Sequence, residues 1–239
     1  MKLNKQSNIY TIIYILVLVT LVGTVLAVTS MALKDKQEEN INADKMRQIL
    51  ASVHIASTDA DVAAIYQRTI VDELVVNSKG EIIGDDAFDV DVQKQSKIKD
   101  VEKRLLPVFV CKLENGELKY ILPAYGNGLW GPIWGYIALD ANGSTVYGAY
   151  FAHQGETPGL GAEIEKPAFS KQFDGKNLFK NDKFLPIAVL KKGLKPTNGE
   201  DYVDAVSGGT ITSKGVGAML SGCLKPYEAF LKKLNTSEK

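Results

Sequence analysis

The residue types best suited to chemistry lie in residues 204–213, where glycines and hydroxyl side chains follow a strand-like segment and precede the last helical segment. Gly208 and Gly209 leave the backbone open to a bulky ligand and permit positive φ in a turn. Thr212 and Ser213 are typical N-cap residues, and the free N–H groups at a helix N-terminus favour an anion. The pattern predicts a site that holds a phosphate group.

The same stretch reads Asp-Ala-Val-Ser-Gly-Gly-Thr and ends at Thr210. It resembles the flavinylation motif Asp-x-x-Ser/Thr-Gly-Ala-Thr, in which a separate flavin transferase esterifies FMN through its phosphate onto the last threonine. The resemblance implies covalent FMN on Thr210, with Gly209 in the place of the usual alanine. Without FMN, these residues would be an ordinary Gly-rich loop before a helix. The cofactor contacts implied around Thr210 are Ser207, Gly208, Gly209, Thr212, Ser213 and Lys214.

A second motif, Glu-Thr-Pro-Gly-Leu-Gly, occupies residues 156–161. Pro-Gly is a turn signal, and a turn here needs no further function. The segment is nevertheless similar to the motif of the same FMN-binding domain that packs against the isoalloxazine ring. The resemblance implies that Leu160 contacts the ring face, that Glu156 and Thr157 contact its edge, and that Gly161 belongs to the same site.

Residues 126–131 match the dinucleotide fingerprint G-x-G-x-x-G letter for letter. The context argues against NAD binding, because Pro132 continues into a strand-like segment and position 150, about where the fingerprint needs an acidic residue, is Tyr150. A glycine-rich corner around a buried Trp130 is the simplest alternative. The segment also resembles the Gly-x-Gly-Leu-Trp sequence in the covalent FMN-binding subunit of the sodium-translocating NADH:quinone oxidoreductase, and the related flavin subunit of the Rnf complex has a different version of it.

Three matching segments in one order identify the chain as similar to this family of covalent FMN-binding subunits. The resemblance implies an electron carrier in a sodium-pumping NADH:quinone oxidoreductase, with other subunits as partners and no complete active site of its own. Electrons would arrive through an iron–sulfur centre and leave towards a second covalently bound FMN in a neighbouring protein of the complex. An Rnf-type electron transport protein and a non-redox, membrane-anchored binding module remain the alternatives.

Composition excludes several other functions. The formal net charge is zero and no basic stripe occurs, which argues against nucleic acid as a partner. Cys111 and Cys223 have no metal-ligand spacing, so free buried thiols are predicted, although a disulfide stays open. His54 and His153 have no evident nucleophile or metal partner and are interpreted as structural. The chemistry is therefore left to a cofactor.

Residues 8–33 contain no charged side chain, and an apolar helix of about 20 residues spans a bilayer. A cleaved signal peptide has a shorter apolar region, of about 7–15 residues. Lys2 and Lys5 precede the segment while more basic residues follow it, so the charge count does not support a cytoplasmic N-terminus. The family's topology does imply one, with the main domain outside the inner membrane. The predicted segments are a cytoplasmic tail (1–8), a transmembrane helix (9–33), a juxtamembrane helix (34–56) and an extracytoplasmic FMN-binding domain (57–239).

The remaining sequence predicts one α+β domain, an antiparallel sheet with packed helices. Apolar runs flank Asn115-Gly116 and again Asn142-Gly143, the pair favoured in type I′ hairpin turns, and a third hairpin is predicted around residues 77–80. Phe88, Val90 and Val92 alternate with aspartates as in a strand. Residues 162–173 and 216–234 are predicted to be helices, the second interrupted by Pro226.

Overall fold

The computed structural model describes residues 7–237, and the chain divides into a first unit that ends at Lys45 and a second unit that begins at Met46. Lys2 and Lys5, used above for the membrane orientation, lie outside the described residues. Helix α1, Asn8–Ser52, continues without a break through the boundary predicted at residue 34. Within residues 7–237, α1 is the single helix long and apolar enough to cross a membrane, and none of its most apolar window is buried.

The second unit is organised around one antiparallel sheet of six strands, in the order β2-β1-β3-β4-β5-β6. The predicted α+β class and all three predicted hairpins are confirmed. The strands are Ile70–Val76 (β1), Ile82–Gly84 (β2), Leu106–Lys112 (β3), Leu118–Asn127 (β4), Pro132–Asp140 (β5) and Val146–His153 (β6).

The hairpin turns differ from type I′. Gly116 donates its N–H to the Leu113 carbonyl at 2.8 Å, and Gly143 donates to Asp140 in the same way at 2.9 Å. Both glycines have positive φ, whereas Asn115 does not, and a type I′ turn needs positive φ at both central residues. The loops are therefore one or two residues longer than predicted, with glycine in the left-handed position.

Alternating side chains give the sheet two buried faces. One face carries Leu122, Ile133 and Ile137, all at most 1% exposed, and belongs to the main core. The helices that cover this core are the long helix Thr210–Leu224 (α5) and the C-terminal Glu228–Ser237 (α6), separated by a short 3₁₀ turn that contains Pro226. The predicted interruption at Pro226 is confirmed.

The last turns of α1 and the helix Val62–Thr69 (α2) contribute side chains to a second buried layer. Trp134 follows the core residue Ile133 in β5 and therefore lies on the other face of the sheet. Its indole N–H donates to the Gln48 side chain at 2.8 Å. Ile49 and Leu50 in the same turns are fully buried. Ser52 brings its carbonyl so close to Gly148 that a Cβ there would collide with it.

Two predictions of local structure are wrong. Residues around Val90 form no strand, because the Asp91 side chain accepts from the Lys94 amide and caps the helix Val92–Lys97 (α3). Residues 162–173 are not one helix but two 3₁₀ turns, Gly161–Glu165 and Lys171–Phe173, on either side of the short helix Pro167–Ser170 (α4). Pro167 has no N–H to continue the first turn, so it starts a new one.

Between α4 and α5 the chain forms two small pairs of strands. The remaining strands are Phe179–Lys180 (β7), Lys183–Phe184 (β8), Ala188–Leu190 (β9) and Tyr202–Asp204 (β10). Strands β9 and β10 are parallel, and β10 leads directly into the loop before α5. Cys111, fully buried in β3, and Cys223, half-buried in α5, are free thiols as predicted.

Three phenylalanines form the densest part of the core. Phe173 lies 4.9 Å from Phe151 and 5.5 Å from Phe169, measured between ring centroids, and is fully buried. We expect Phe173→Ala to lower the free energy of unfolding by about 3–5 kcal/mol, because it removes a buried ring and leaves a cavity. Denaturant unfolding followed by tryptophan fluorescence measures this.

The control is Leu194→Ala, at a residue 56% exposed, which should change the unfolding free energy by less than about 0.5 kcal/mol. A Phe173→Ala protein as stable as the Leu194→Ala protein would contradict this account of the core.

Candidate functional site

Three loops converge on the side chain of Glu156, which is 4% exposed. The first loop, residues 128–131, joins β4 to β5, so the dinucleotide-like glycines lie in a strand-to-strand turn, as the context predicted. The second, residues 154–160, follows β6 and carries Glu156 itself. The third, residues 205–209, joins β10 to α5. All three predicted motifs therefore meet at one place.

The Glu156 carboxylate connects its own loop to the first loop and to helix α5 by hydrogen bonds. One oxygen accepts from the Trp130 amide at 2.8 Å, and the other accepts from the Thr212 hydroxyl at 2.5 Å. Burial by itself would raise the pKa of Glu156, but the bonds from Thr212 and the backbone outweigh it and hold the pKa below its usual value. Both oxygens thus serve contacts inside the protein.

Glycines allow the loops to approach each other this closely. A Cβ on Gly128 or Gly161 would collide with the Glu156 carboxylate. Gly209 is buried, and a Cβ there would stand 3.3 Å from the Gly161 backbone. Gly208 has a φ of +75°, and a Cβ there would collide with the Leu160 side chain. These glycines make close contact between loops, and the close approach predicted for a ligand is not needed to explain them.

Helix α5 begins at Thr210, six residues before the predicted start at residue 216. Thr210 is its first residue and Gly209 its N-cap, so the predicted capping role of Thr212 and Ser213 is wrong. Both are 1% exposed, because Thr212 donates to Glu156 while the Ser213 hydroxyl accepts from the Val206 amide at 3.0 Å. Both hydroxyls therefore bind residues outside α5, and neither caps the helix.

Thr210, in contrast, is exposed at the helix N-terminus, where the macrodipole is positive. Ser207 on the preceding loop and Lys214 one helical turn later are exposed as well. The first turn of α5 contains no acidic residue to compensate the dipole. The arrangement favours an anion attached at or held near Thr210.

Four large apolar side chains are exposed on the first two loops and at the start of α5. Their exposed fractions are 48% for Leu129, 69% for Trp130, 44% for Leu160 and 55% for Ile211. The alternative of a glycine-rich corner around a buried tryptophan is therefore wrong. The motif comparison indicated Leu160, but no pattern within the sequence indicated that the apolar residue Ile211 is exposed.

Residues beside the loops hold them in place. His153 accepts the Glu156 amide on Nδ1 at 3.1 Å, and its Nε2 lies 3.5 Å from the Glu165 carboxylate. Asp204, the first residue of the flavinylation-like motif, exchanges backbone hydrogen bonds with the Gln172 side chain at 2.9 and 3.4 Å. Both side chains support loops, which fits the structural interpretation of His153.

Comparison with known proteins agrees with this site. The family model described as the FMN-binding domain matches residues 128–225, a range that starts in the first loop and ends just beyond α5. The NqrC subunit of the Na⁺-translocating NADH-quinone reductase of Vibrio anguillarum is 31% identical over 228 residues, which cover 89% of each chain. The corresponding Vibrio vulnificus protein is 34% identical over 207 residues, 80% of this chain and 81% of that one.

Solved structures share the fold. The crystal structure of the NqrC protein of this reductase from Parabacteroides distasonis is 46% identical in sequence, with a TM-score of 0.78, and covers 83% of this chain and 96% of its own. The Shewanella oneidensis NqrC structure, at 24% identity and a TM-score of 0.68, supports the fold alone. With relatives this similar over nearly their whole length, and with the FMN-binding motifs assembled at one site, the chain belongs to the NqrC family of Na⁺-translocating NADH-quinone reductase subunits.

Proposed function

We propose that this protein is the membrane-anchored, electron-carrying subunit of a sodium-translocating NADH:quinone oxidoreductase, with FMN held as a phosphoester on Thr210. The observation that carries the proposal is the position of Thr210. It is the exposed first residue of α5, while Thr212 and Ser213 are buried and hydrogen-bonded within the protein. The other exposed hydroxyl of the stretch, Ser207, lies on the loop before the helix. A transferase can reach one threonine here and not the other.

The start of α5 suits the phosphate of the proposed linkage. Backbone N–H groups in the first turn of a helix lack intrahelical partners, and they point towards a group attached at that end. Lys214 places an ammonium group on the same end of the helix. The phosphate of a flavin esterified to Thr210 would keep its negative charge in this favourable field.

The exposed apolar side chains suit the ring system of the cofactor. FMN, when bound, supplies the capacity to accept and pass on electrons; the protein supplies position and surroundings. Leu160 and Trp130 offer apolar surface beside Thr210, and Thr157 is exposed at the same loop. Glu156 differs from the contact implied by the family motif, because its oxygens already bind Trp130 and Thr212. We assign it to holding the loops in place.

The proposed partners are the other subunits of the complex. An iron–sulfur centre would be the electron donor and a second flavin-carrying protein the acceptor, while a flavin transferase would attach the FMN. Helix α1 would anchor the chain in the lipid bilayer, with the N-terminus in the cytoplasm and the second unit outside. The relatives compared above are all NqrC proteins, which favours this complex over an Rnf-type one.

The attachment site is tested by Thr210→Ala. We expect complete loss of covalent FMN after coexpression with the flavin transferase, because the acceptor oxygen is gone. The intact mass of the unmodified protein measures this, since attachment adds the mass of FMN less one water. Thr197→Ala is the control: it removes an exposed threonine hydroxyl outside the flavinylation-like motif and should leave the modification complete.

Thr212→Ala gives the second comparison. It should still be modified, although loss of the bond to Glu156 should cost about 1–3 kcal/mol of stability. A flavinylated Thr210→Ala protein would disprove the assignment. Absence of FMN from the wild type under the same conditions would favour the non-redox binding module instead.

The role of Glu156 predicts a pH dependence. A carboxyl group whose pKa is lowered by folding stabilises the protein above its unfolded pKa, near 4.5, and loses that effect as the pH falls through the lower folded value. We expect Glu156→Gln to be less stable than wild type by about 1–3 kcal/mol at pH 7. The difference should shrink as the pH falls below about 4.5.

Urea unfolding between pH 3 and pH 7 measures the difference, with Glu114→Gln as the control, at an exposed glutamate outside the site. A pH-independent difference for Glu156→Gln would mean that its charge does not hold the loops.

The membrane orientation is tested by labelling single introduced cysteines in intact cells with a membrane-impermeant thiol reagent. Cys111 is unsuitable as a reporter, because burial keeps its thiol inaccessible and raises its pKa to about 11. Lys79→Cys, at an exposed turn, should be labelled, whereas Ser7→Cys in the predicted cytoplasmic tail should not. The reverse pattern would place the second unit in the cytoplasm.

A further inference from the structure

A cavity of about 730 Å³ lies in the second unit, away from the three loops of the FMN site. Its walls come from the residues after α1, from α2, from the β3–β4 turn and from the start of β6. The volume falls within the range of small-molecule sites, about 300–1,000 Å³. None of the residues that line it takes part in the site around Glu156, so its occupant would be separate from FMN.

Two cations line one side of this cavity. Strand register brings them together, because Ile70 pairs with Cys111, which places Arg68 and Lys112 at the same end of the β1–β3 pair. Both side chains are exposed, and neither makes an ion pair with any residue in the range 7–237. Glu114 also lines the cavity and offsets part of the charge. The remaining positive charge favours an anion.

Part of the remaining lining is apolar. Val53 is 1% exposed, and Ile55, Ile65 and Leu113 are half-buried around it. Ile65 stands one helical turn before Arg68 on α2, so an apolar side chain and a cation face the same space from one helix. A ligand that satisfies both linings must carry a charged head and a hydrocarbon part.

The part of the cavity lining beside Tyr147 is His54, whose backbone conformation is unusual. His54 has a φ of +62°, in the left-handed region that non-glycine residues seldom adopt. Its Nε2 lies 3.1 Å from the Tyr147 carbonyl, and a Cβ on the adjacent Gly148 would meet the His54 ring at 2.7 Å. Backbone conformations of this kind persist where surrounding contacts enforce them, often at ligand sites.

We propose that this cavity binds an anionic amphiphile, with its headgroup on Arg68 and Lys112 and its hydrocarbon chain against Val53, Ile65 and Leu113. The headgroup chemistry is a carboxylate or a phosphate ester, both of which accept charge-assisted hydrogen bonds from these cations. The source is a fatty acid or a lipid phosphate. The site is independent of FMN and of the attachment at Thr210.

The test uses the full chain in nanodiscs of neutral phosphatidylcholine and an oleic acid that carries a photoreactive diazirine in its chain. After illumination, peptide mass spectrometry should find the label in residues 53–69 and 112–115. Unlabelled oleate should compete, whereas oleyl alcohol, which has the same chain without a charge, and inorganic phosphate, which has no chain, should not. Competition by oleoyl lysophosphatidate against oleate then distinguishes a phosphate from a carboxylate headgroup.

The double variant Arg68→Gln/Lys112→Gln should reduce labelling of these peptides about tenfold, because it removes both charged contacts. Its matched control, Lys191→Gln/Lys192→Gln, removes two exposed cations outside the cavity and should leave labelling unchanged. Label elsewhere in the chain only, equal loss in both double variants, or equal competition by oleyl alcohol would overturn the proposal. FMN attachment at Thr210 should be the same in all variants.

Discussion

The candidate site depends on one buried carboxylate. An ionised side chain removed from water is costly unless donors replace the lost hydration. Glu156 obtains those donors from the β4–β5 turn and from helix α5, both distant from it in sequence. Its hydrogen bonds therefore do more than add stability: they fix where the β4–β5 turn lies relative to the first turn of α5. Gly128 and Gly161 are constrained in turn, since any side chain at either position would displace the carboxylate. These contacts therefore also determine the position of the exposed Thr210, the first residue of α5.

The sheet explains why the site can be precise although its parts are loops. Strands β4, β5 and β6 are adjacent and antiparallel, so the turn after β4 and the loop after β6 leave the sheet at the same end. Helix α5 packs across the main core through Val216 and Leu220, both buried. The loops are short and begin and end on this rigid framework, which limits the conformations that they can adopt.

Local sequence signals predicted the framework well, and long-range contacts explain where they failed. Hairpins around Asn115 and Asn142 follow from neighbouring residues alone, but the turn type depends on which residue takes positive φ. Thr212 has the chemistry of a helix cap, yet a carboxylate 56 residues earlier in the chain binds its hydroxyl. Only the folded arrangement could reveal that. The alternation of apolar residues and aspartates around Val90 predicted a strand, and here a local contact decided against it. The Asp91 side chain caps the N-terminus of a helix at this point.

The placement of Thr210 on a helix has a consequence for any group that it carries. Branching at Cβ leaves a helical threonine few side-chain rotamers, and its backbone here is fixed by hydrogen bonds that a loop would lack. A tethered cofactor then starts from a small number of discrete directions instead of a continuous range. The direction in which that group leaves the helix is set by which threonine rotamer is occupied.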